Sequence, residues 1–191
     1  MESAPALSSS STTTPRASAV GVFGAVWGVV GVVAILLDAI ARLAPRALAL
    51  RSADLSLIEI ASLLAVVVFF GFVEGYRGFQ RSFSPRVVAR AFALRDGAHP
   101  ILCLFAPLFT MALIAATPRR LVGSWALVTM IVGFVVAIRL LPDPWRGIVD
   151  AGVVVGLSWG ALSIVVIAAR ALRRGPPDVD LAWPARSVAS S

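Results

Sequence analysis

The sequence predicts an all-α membrane protein with five transmembrane helices, and three observations support this fold class. Apolar residues make up 59% of the 191 residues and charged residues only 14%, whereas soluble domains carry about 25% charged residues. Five stretches contain no charged residue: 17–37, 60–73, 100–118, 121–138 and 151–169. Because a helix needs about 20 apolar residues to cross the hydrocarbon core of a bilayer, these stretches predict five spans.

The first span is expected at residues 19–37, after a tail over residues 1–18 that is rich in Ser, Thr and Pro. Such a tail cannot bury enough apolar surface to offset the entropy of ordering, so we expect it to be flexible. Four glycines of the span lie on one helical stripe: Gly21, Gly24, Gly28 and Gly31. Small residues on a stripe let another membrane helix approach closely, which predicts a helix-packing face.

The second span is expected at residues 55–73, with Glu59 in its first turns and Glu74 at its exit. An arginine-rich connector over residues 75–100 follows it. Since the connector is polar, we expect the second helix to end near Glu74 at the membrane boundary.

Within this connector the sequence predicts a short amphipathic helix over residues 85–96. Ser84 followed by Pro85 is typical of a helix start, and Gly97 is typical of a helix stop. Apolar residues cover one side of this helix, while Arg86 and Arg90 share another. This pattern predicts an interfacial helix that lies in the plane of the lipid headgroups.

The last three spans are expected at residues 101–117, 121–138 and 148–169. Pro107 predicts a kink or an irregular start in the third span, because proline removes a helical hydrogen bond. The fifth span carries a second small-residue stripe: Gly152, Gly156 and Gly160. A flexible tail over residues 171–191 is expected to follow, so residues 19–170 form a single transmembrane domain whose two ends lie on opposite sides of the membrane.

The charge pattern indicates a lipid partner rather than a nucleic acid. All 17 basic residues are Arg and the net charge is +7, but most of these arginines flank the apolar stretches, where they reach headgroup phosphates. The sequence contains no Lys and no Asn, which is typical of a GC-rich genome. We expect a multi-pass protein of a bacterial plasma membrane, with an organellar membrane as the alternative.

Five residues are candidates for binding a ligand or an ion. The five-span topology brings Glu74, Arg77, Arg146 and Asp150 to the same membrane face, and places Glu59 at the opposite one. Glu74 with Arg77 and Arg146 with Asp150 have the spacing of helical ion pairs, so structural pairing is the leading interpretation. An ionisable group inside a membrane is also a functional candidate. For Glu59, pairing with an Arg and binding of a proton or cation are the alternatives.

Catalytic, metal and cofactor sites are not expected. One cysteine, Cys103, and one histidine, His99, provide too few ligands for a metal site. Residues 156–160 match the G-x-S-x-G pattern of serine hydrolases, but the match lies inside an apolar helix rather than at a strand-to-helix turn. Ser158 is also about 15 Å deeper in the membrane than His99, too far for a nucleophile and its base.

The two glycine stripes therefore lead the functional interpretation. We expect a non-enzymatic assembly or accessory subunit, or a homo-oligomer, whose partners are other membrane helices. The alternative is a small transporter or channel that uses the intramembrane Glu, Asp and Arg residues. An intramembrane or lipid-modifying enzyme is the third hypothesis.

Overall fold

A computed structural model describes residues 18–96, 100–179 and 181 of the chain, and every regular element in them is a helix. Most of the two predicted tails, the predicted helix stop at Gly97 and the histidine His99 lie outside the described residues. The all-helical prediction is confirmed for the part of the chain that is described.

The first helix, α1, covers Ala19–Ala49 and continues as a 3-10 turn over Leu50–Ser52. Its start is capped by Ser18, whose Oγ accepts a hydrogen bond from the backbone N–H of Gly21 at 3.0 Å. The helix extends well beyond the predicted end at residue 37. The physical reason is that the residues beyond it are mostly Ala, Leu and Arg, which favour helices, and that Asp38 and Arg42 form an i, i+4 salt bridge of 2.8 Å.

The second long helix is continuous from Leu57 to Asp96 and has three parts. These are α2 (Leu57–Phe70), a π-helical segment (Gly71–Phe83) and α3 (Ser84–Asp96). The polar connector expected after Glu74 is therefore helical. The π-helical segment is unusual because π-helices mostly occur as single turns, often at functional sites.

Helix α3 occupies the position of the predicted interfacial helix, but it lies inside the bundle. Val87, Val88 and Leu94 are 0% exposed and Arg90 is 1% exposed. The helix packs against α1 and against the last helix of the chain. Its surface position was a wrong expectation, because Arg90 satisfies its charge with hydrogen bonds inside the protein, as described below.

The predicted third span is broken into short pieces. Helix α4 covers Pro100–Leu104, α5 covers Ala106–Thr110, and turns follow to residue 116. The break coincides with Pro107, which lies at the start of α5, and Ala112 and Ala115 adopt left-handed φ angles of 59° and 48°. Two further helices follow in the described part of the chain, α6 (Pro118–Ile138) and α7 (Trp145–Arg174).

Four helices, rather than the expected five, are long and apolar enough to cross a membrane. They cover Ala19–Ser52, Leu57–Asp96, Leu121–Ile138 and Trp145–Arg174. A bundle of apolar helices is thus shown within the described residues, while the count of five is not confirmed.

Helix α7 packs against α1, α2, the π-helical segment and α3. Leu50, at the end of α1, contacts Gly147 at the start of α7, so these two helices are antiparallel. Val66 lies at Gly152 and Phe79 lies at Gly160, so the second long helix runs parallel to α7. Residues 18 and 174 consequently lie at the same end of the bundle, which differs from the opposite ends of the five-span topology.

Helix α6 stands apart from this bundle. Its ring contact is between Phe134 and Phe70 of α2, with centroids 6.2 Å apart, and the indole Nε1 of Trp125 donates a hydrogen bond to the carbonyl of Leu113 at 3.2 Å. Among the described residues, no atom beyond the local helix backbone lies within 4 Å of a Cβ built at Gly123 or Gly133. The apolar side chains of α6 are therefore largely exposed.

Candidate functional site

The two glycine stripes are filled by helices of the same chain. All seven glycines predicted for packing are buried: Gly21, Gly24, Gly28, Gly31, Gly152, Gly156 and Gly160. A Cβ at Gly24 would lie 2.6 Å from Sγ of Cys103, and a Cβ at Gly31 would lie 2.4 Å from Cγ of Pro107. The first stripe therefore holds the broken segment over residues 100–116, and the second holds α2 and the π-helical segment.

Glu74, on the π-helical segment, lies beside the middle of α7 rather than beside the start of α7, where the sequence placed it. Its Oε2 is 3.0 Å from the position of a Cβ at Gly156. The neighbouring Gln80 accepts a hydrogen bond of 2.8 Å from the indole Nε1 of Trp159. Since the uncharged stretch 151–169 of α7 is centred on residue 160, the π-helical segment brings its charged residues to the middle of that stretch.

Asp38 of α1 lies at the same level as this part of the π-helical segment. Leu50 is opposite Gly147, and 12 residues separate Leu50 from Asp38 as well as Gly147 from Trp159. At 1.5 Å per residue both distances are about 18 Å along antiparallel axes, so Asp38 is level with Trp159.

Together these residues form a polar band around the middle of the bundle. We define the polar band as Asp38, Arg42, Glu74, Arg77, Gln80 and Arg81. All its members except Glu74 are exposed. The guanidinium of Arg81 lies 5.8 Å from the ring centroid of Tyr76, and that ring stacks on Phe72 at 5.8 Å, so aromatic side chains accompany the charges.

Arg146 and Asp150 lie at another level, near the start of α7. Six residues separate Asp150 from Gly156, the position of Glu74, which is about 9 Å of helix. Asp150 is 3% exposed, and neither its Oδ2 nor the buried Nε of Arg146 has a hydrogen-bond partner. Within the described part of the chain, neither this pair nor Glu74 with Arg77 forms a salt bridge. Neither expected pair is thus a direct salt bridge, although the positive charges of Arg146 and Arg46 lie near enough to act on the Asp150 carboxylate.

Glu59 is engaged at the start of α2. Its Oε2 accepts hydrogen bonds from the backbone N–H of Ser56 at 2.7 Å and from the Ser56 hydroxyl at 2.8 Å, and its own N–H donates to Ser56 Oγ at 3.4 Å. This is a capping box, which satisfies N–H groups that a helix start leaves unpaired. The carboxylate has a structural role without the arginine expected from the sequence.

Arg90 is a buried side chain that the sequence pattern placed at the membrane surface. Its guanidinium donates hydrogen bonds to four backbone carbonyls: Phe109 at 2.7 Å, Leu181 at 2.7 Å, Ala115 at 3.0 Å and Ile114 at 3.2 Å. It also lies 4.2 Å from the ring centroid of Phe109. A signal was present in the spacing, because Arg90 follows Val87 by three residues and precedes Leu94 by four, which places it on their buried face.

The single cysteine is buried beside the first glycine stripe. Cys103 is 3% exposed, and burial raises the pKa of its thiol. In the described ranges, no three His, Cys, Asp or Glu side chains come together as possible metal ligands. Ser158 is exposed within α7, so its surroundings differ from the strand-to-helix turn of a hydrolase nucleophile.

Comparisons with protein-family models, with curated proteins and with solved structures give no match to this chain.

Proposed function

We propose that the chain is an integral membrane protein and a non-enzymatic subunit of a membrane assembly. The observation that carries this proposal is the polar band, in which Arg77 and Arg81 are exposed at the level of the middle of α7. Lipid tails do not stabilise exposed charges at this depth, whereas polar groups on another protein subunit can pair with them.

The energetic cost of an exposed arginine depends on how deep it lies in the hydrocarbon core. The stretch 151–169 of α7 is about 28 Å long, which matches a hydrocarbon core of about 30 Å. Arg77 then leaves its helix about 15 Å from either boundary, farther than an arginine side chain reaches by snorkelling. An unpaired Arg at this depth costs about 2.5 to 3.5 kcal/mol on insertion scales. A partner that provides carboxylates or polar groups removes this cost.

The glycine stripes no longer support assembly with a partner, because the chain's own helices fill them. Helix α6 is suited to lipid contact, since its exposed side chains are apolar, with Met130 63% and Val136 57% exposed. The proposed contact surfaces are therefore the two faces, one on α1 and one on the π-helical segment, that carry the polar band.

A second candidate function is transport of an ion or small solute, with the polar band lining a hydrated path. The specific observation that favours it is Glu74, whose carboxylate contacts the bare backbone at Gly156. Within the described residues no salt bridge or hydrogen bond of this side chain is found. A carboxylate with free oxygens midway through a bundle is a candidate cation site.

The experiment that separates the two functions is purification from host membranes in a mild detergent, followed by reconstitution. An assembly subunit is expected to purify with stoichiometric partners or as an oligomer, and to leave liposomes impermeable. A chain that purifies as a monomer and moves ions across liposomes would contradict the assembly proposal and support transport.

A further inference from the structure

Two exposed charges of opposite sign lie at the same level of the bundle, on two different helices. The Asp38 side chain on α1 is 62% exposed and pairs with Arg42 through Oδ2. Its Oδ1 has no salt bridge or hydrogen bond within the described residues. Arg77 on the π-helical segment is exposed. Both lie beside the middle of α7, so neither charge is close to the end of a span.

Each of these charges lies beside an apolar groove. On α1 a shallow groove of about 420 Å³ ends at Asp38. Its other lining residues are Trp27, Gly31, Ala34, Ile35 and Pro107. On the other face a shallow groove of about 390 Å³ is lined by Gly71, Phe72, Tyr76 and Trp159, next to Arg77 in the chain. Each face thus combines an apolar groove with a charged side chain. Asp38 Oδ1, which Arg42 does not engage, is complementary to the guanidinium of Arg77.

We propose that the partner of the polar band is a second copy of this chain, with Asp38 of one copy bound to Arg77 of the next. This inference rests on the proposed function as an assembly subunit. Copies related by rotation about the membrane normal keep residues at one depth, so the two charges meet without any shift along the normal. Because the contacting faces differ, the contact is heterologous. A rotation about the membrane normal whose angle divides a full turn repeats it around a closed ring.

The proposed contact also fixes the relative direction of the two helices. Helix α1 is antiparallel to α7, and the π-helical segment is parallel to it. At the contact between copies they therefore run antiparallel, and residues that follow Asp38 face residues that precede Arg77. Ala41 and Val73 are such a pair, and both are exposed.

Cysteine cross-linking in native membranes tests this contact while both charges remain. In a Cys103→Ala background, Ala41→Cys combined with Val73→Cys is expected to give, on oxidation, a ladder of dimers, trimers and larger species that reductant abolishes. Either single cysteine, or Ala41→Cys combined with Met130→Cys on α6, is expected to give no ladder. Adding Arg77→Asp is expected to reduce the ladder to the single-cysteine level, while Arg119→Asp, at the start of α6, leaves it unchanged.

Native mass spectrometry of the unmodified protein separates this inference from the proposed function. Masses at multiples of the chain mass, together with the ladder, support both. Homo-oligomers without the ladder, or a complex with a different subunit, would overturn the Asp38–Arg77 contact and leave the assembly proposal standing. A monomer without a ladder would overturn both.

Discussion

Replacing Arg90 by Met is the perturbation whose magnitude the structure defines best. The guanidinium is 1% exposed and donates four hydrogen bonds to backbone carbonyls, three of which belong to residues 109–115. A buried carbonyl left without its donor costs about 1 to 3 kcal/mol. Leaving three carbonyls without their donor would cost about 3 to 9 kcal/mol. The variant no longer buries a charge, which offsets part of this cost. We expect the free energy of unfolding to fall by about 3 to 5 kcal/mol.

The assay is unfolding in mixed micelles, followed through the thiol of Cys103, which is buried in the folded protein and becomes reactive on unfolding. The matched control is Arg95→Met on the same helix, because the Arg95 side chain is 39% exposed and pairs with the adjacent Asp96. Exposed pairs contribute about 0 to 1 kcal/mol. If Arg90→Met destabilises the protein no more than Arg95→Met does, Arg90 does not hold the broken segment in place.

Three further predictions concern packing, reactivity and burial. A Cβ at Gly31 would lie 2.4 Å from a side-chain carbon, so Gly31→Ala should lower the free energy of unfolding by about 1 to 3 kcal/mol. Among the described residues a Cβ at Gly133 meets no atom beyond the local helix backbone within 4 Å, so Gly133→Ala should not destabilise the protein. Equal effects of the two variants in unfolding titrations would contradict the packing. Burial raises the pKa of the Cys103 thiol. Maleimide labelling of the native protein at neutral pH should therefore be slower than labelling in denaturant, by on the order of tenfold or more, and should accelerate as the pH rises. Equal labelling rates in the two conditions would show that the thiol is accessible in the native protein. Asp150→Asn should keep or raise the free energy of unfolding, by about 0 to 2 kcal/mol, because the 3% exposed carboxylate has an Oδ2 without a hydrogen-bond partner. A loss of stability would contradict this prediction and show that attraction to Arg146 and Arg46 outweighs the cost of burying the charge.

Local patterns in the sequence predicted the helices and their close-packing faces, because helix formation and small-residue packing depend on neighbours a few residues apart. The stripe from Gly21 to Gly31 is buried throughout, and the break at Pro107 falls inside the predicted third span. The partner of each stripe could not be predicted, since it depends on contacts between residues far apart in the sequence.

The positions of the helices relative to one another along the bundle axis were the main property that could not be predicted from the sequence. Charged residues were taken as markers of the membrane boundary, which placed Glu74 beside Asp150. The helix instead continues through Glu74 and Arg77 to Asp96, as the π-helical segment and then α3. The charge of Arg90 on this helix is compensated by hydrogen bonds to residues far away in the sequence, and no local pattern in the sequence contains that information.

The most direct test of the central claim is to measure what covers the polar band in the membrane. A nitroxide attached at Val73→Cys in a Cys103→Ala background lies one turn before Arg77 and leaves the charges intact, and a label at Met130→Cys on α6 provides the lipid reference. The assembly proposal predicts that the label at residue 73 is poorly accessible both to oxygen, which partitions into lipid, and to a water-soluble nickel chelate. Oxygen accessibility equal to that at residue 130, or high accessibility to the nickel chelate, would contradict it.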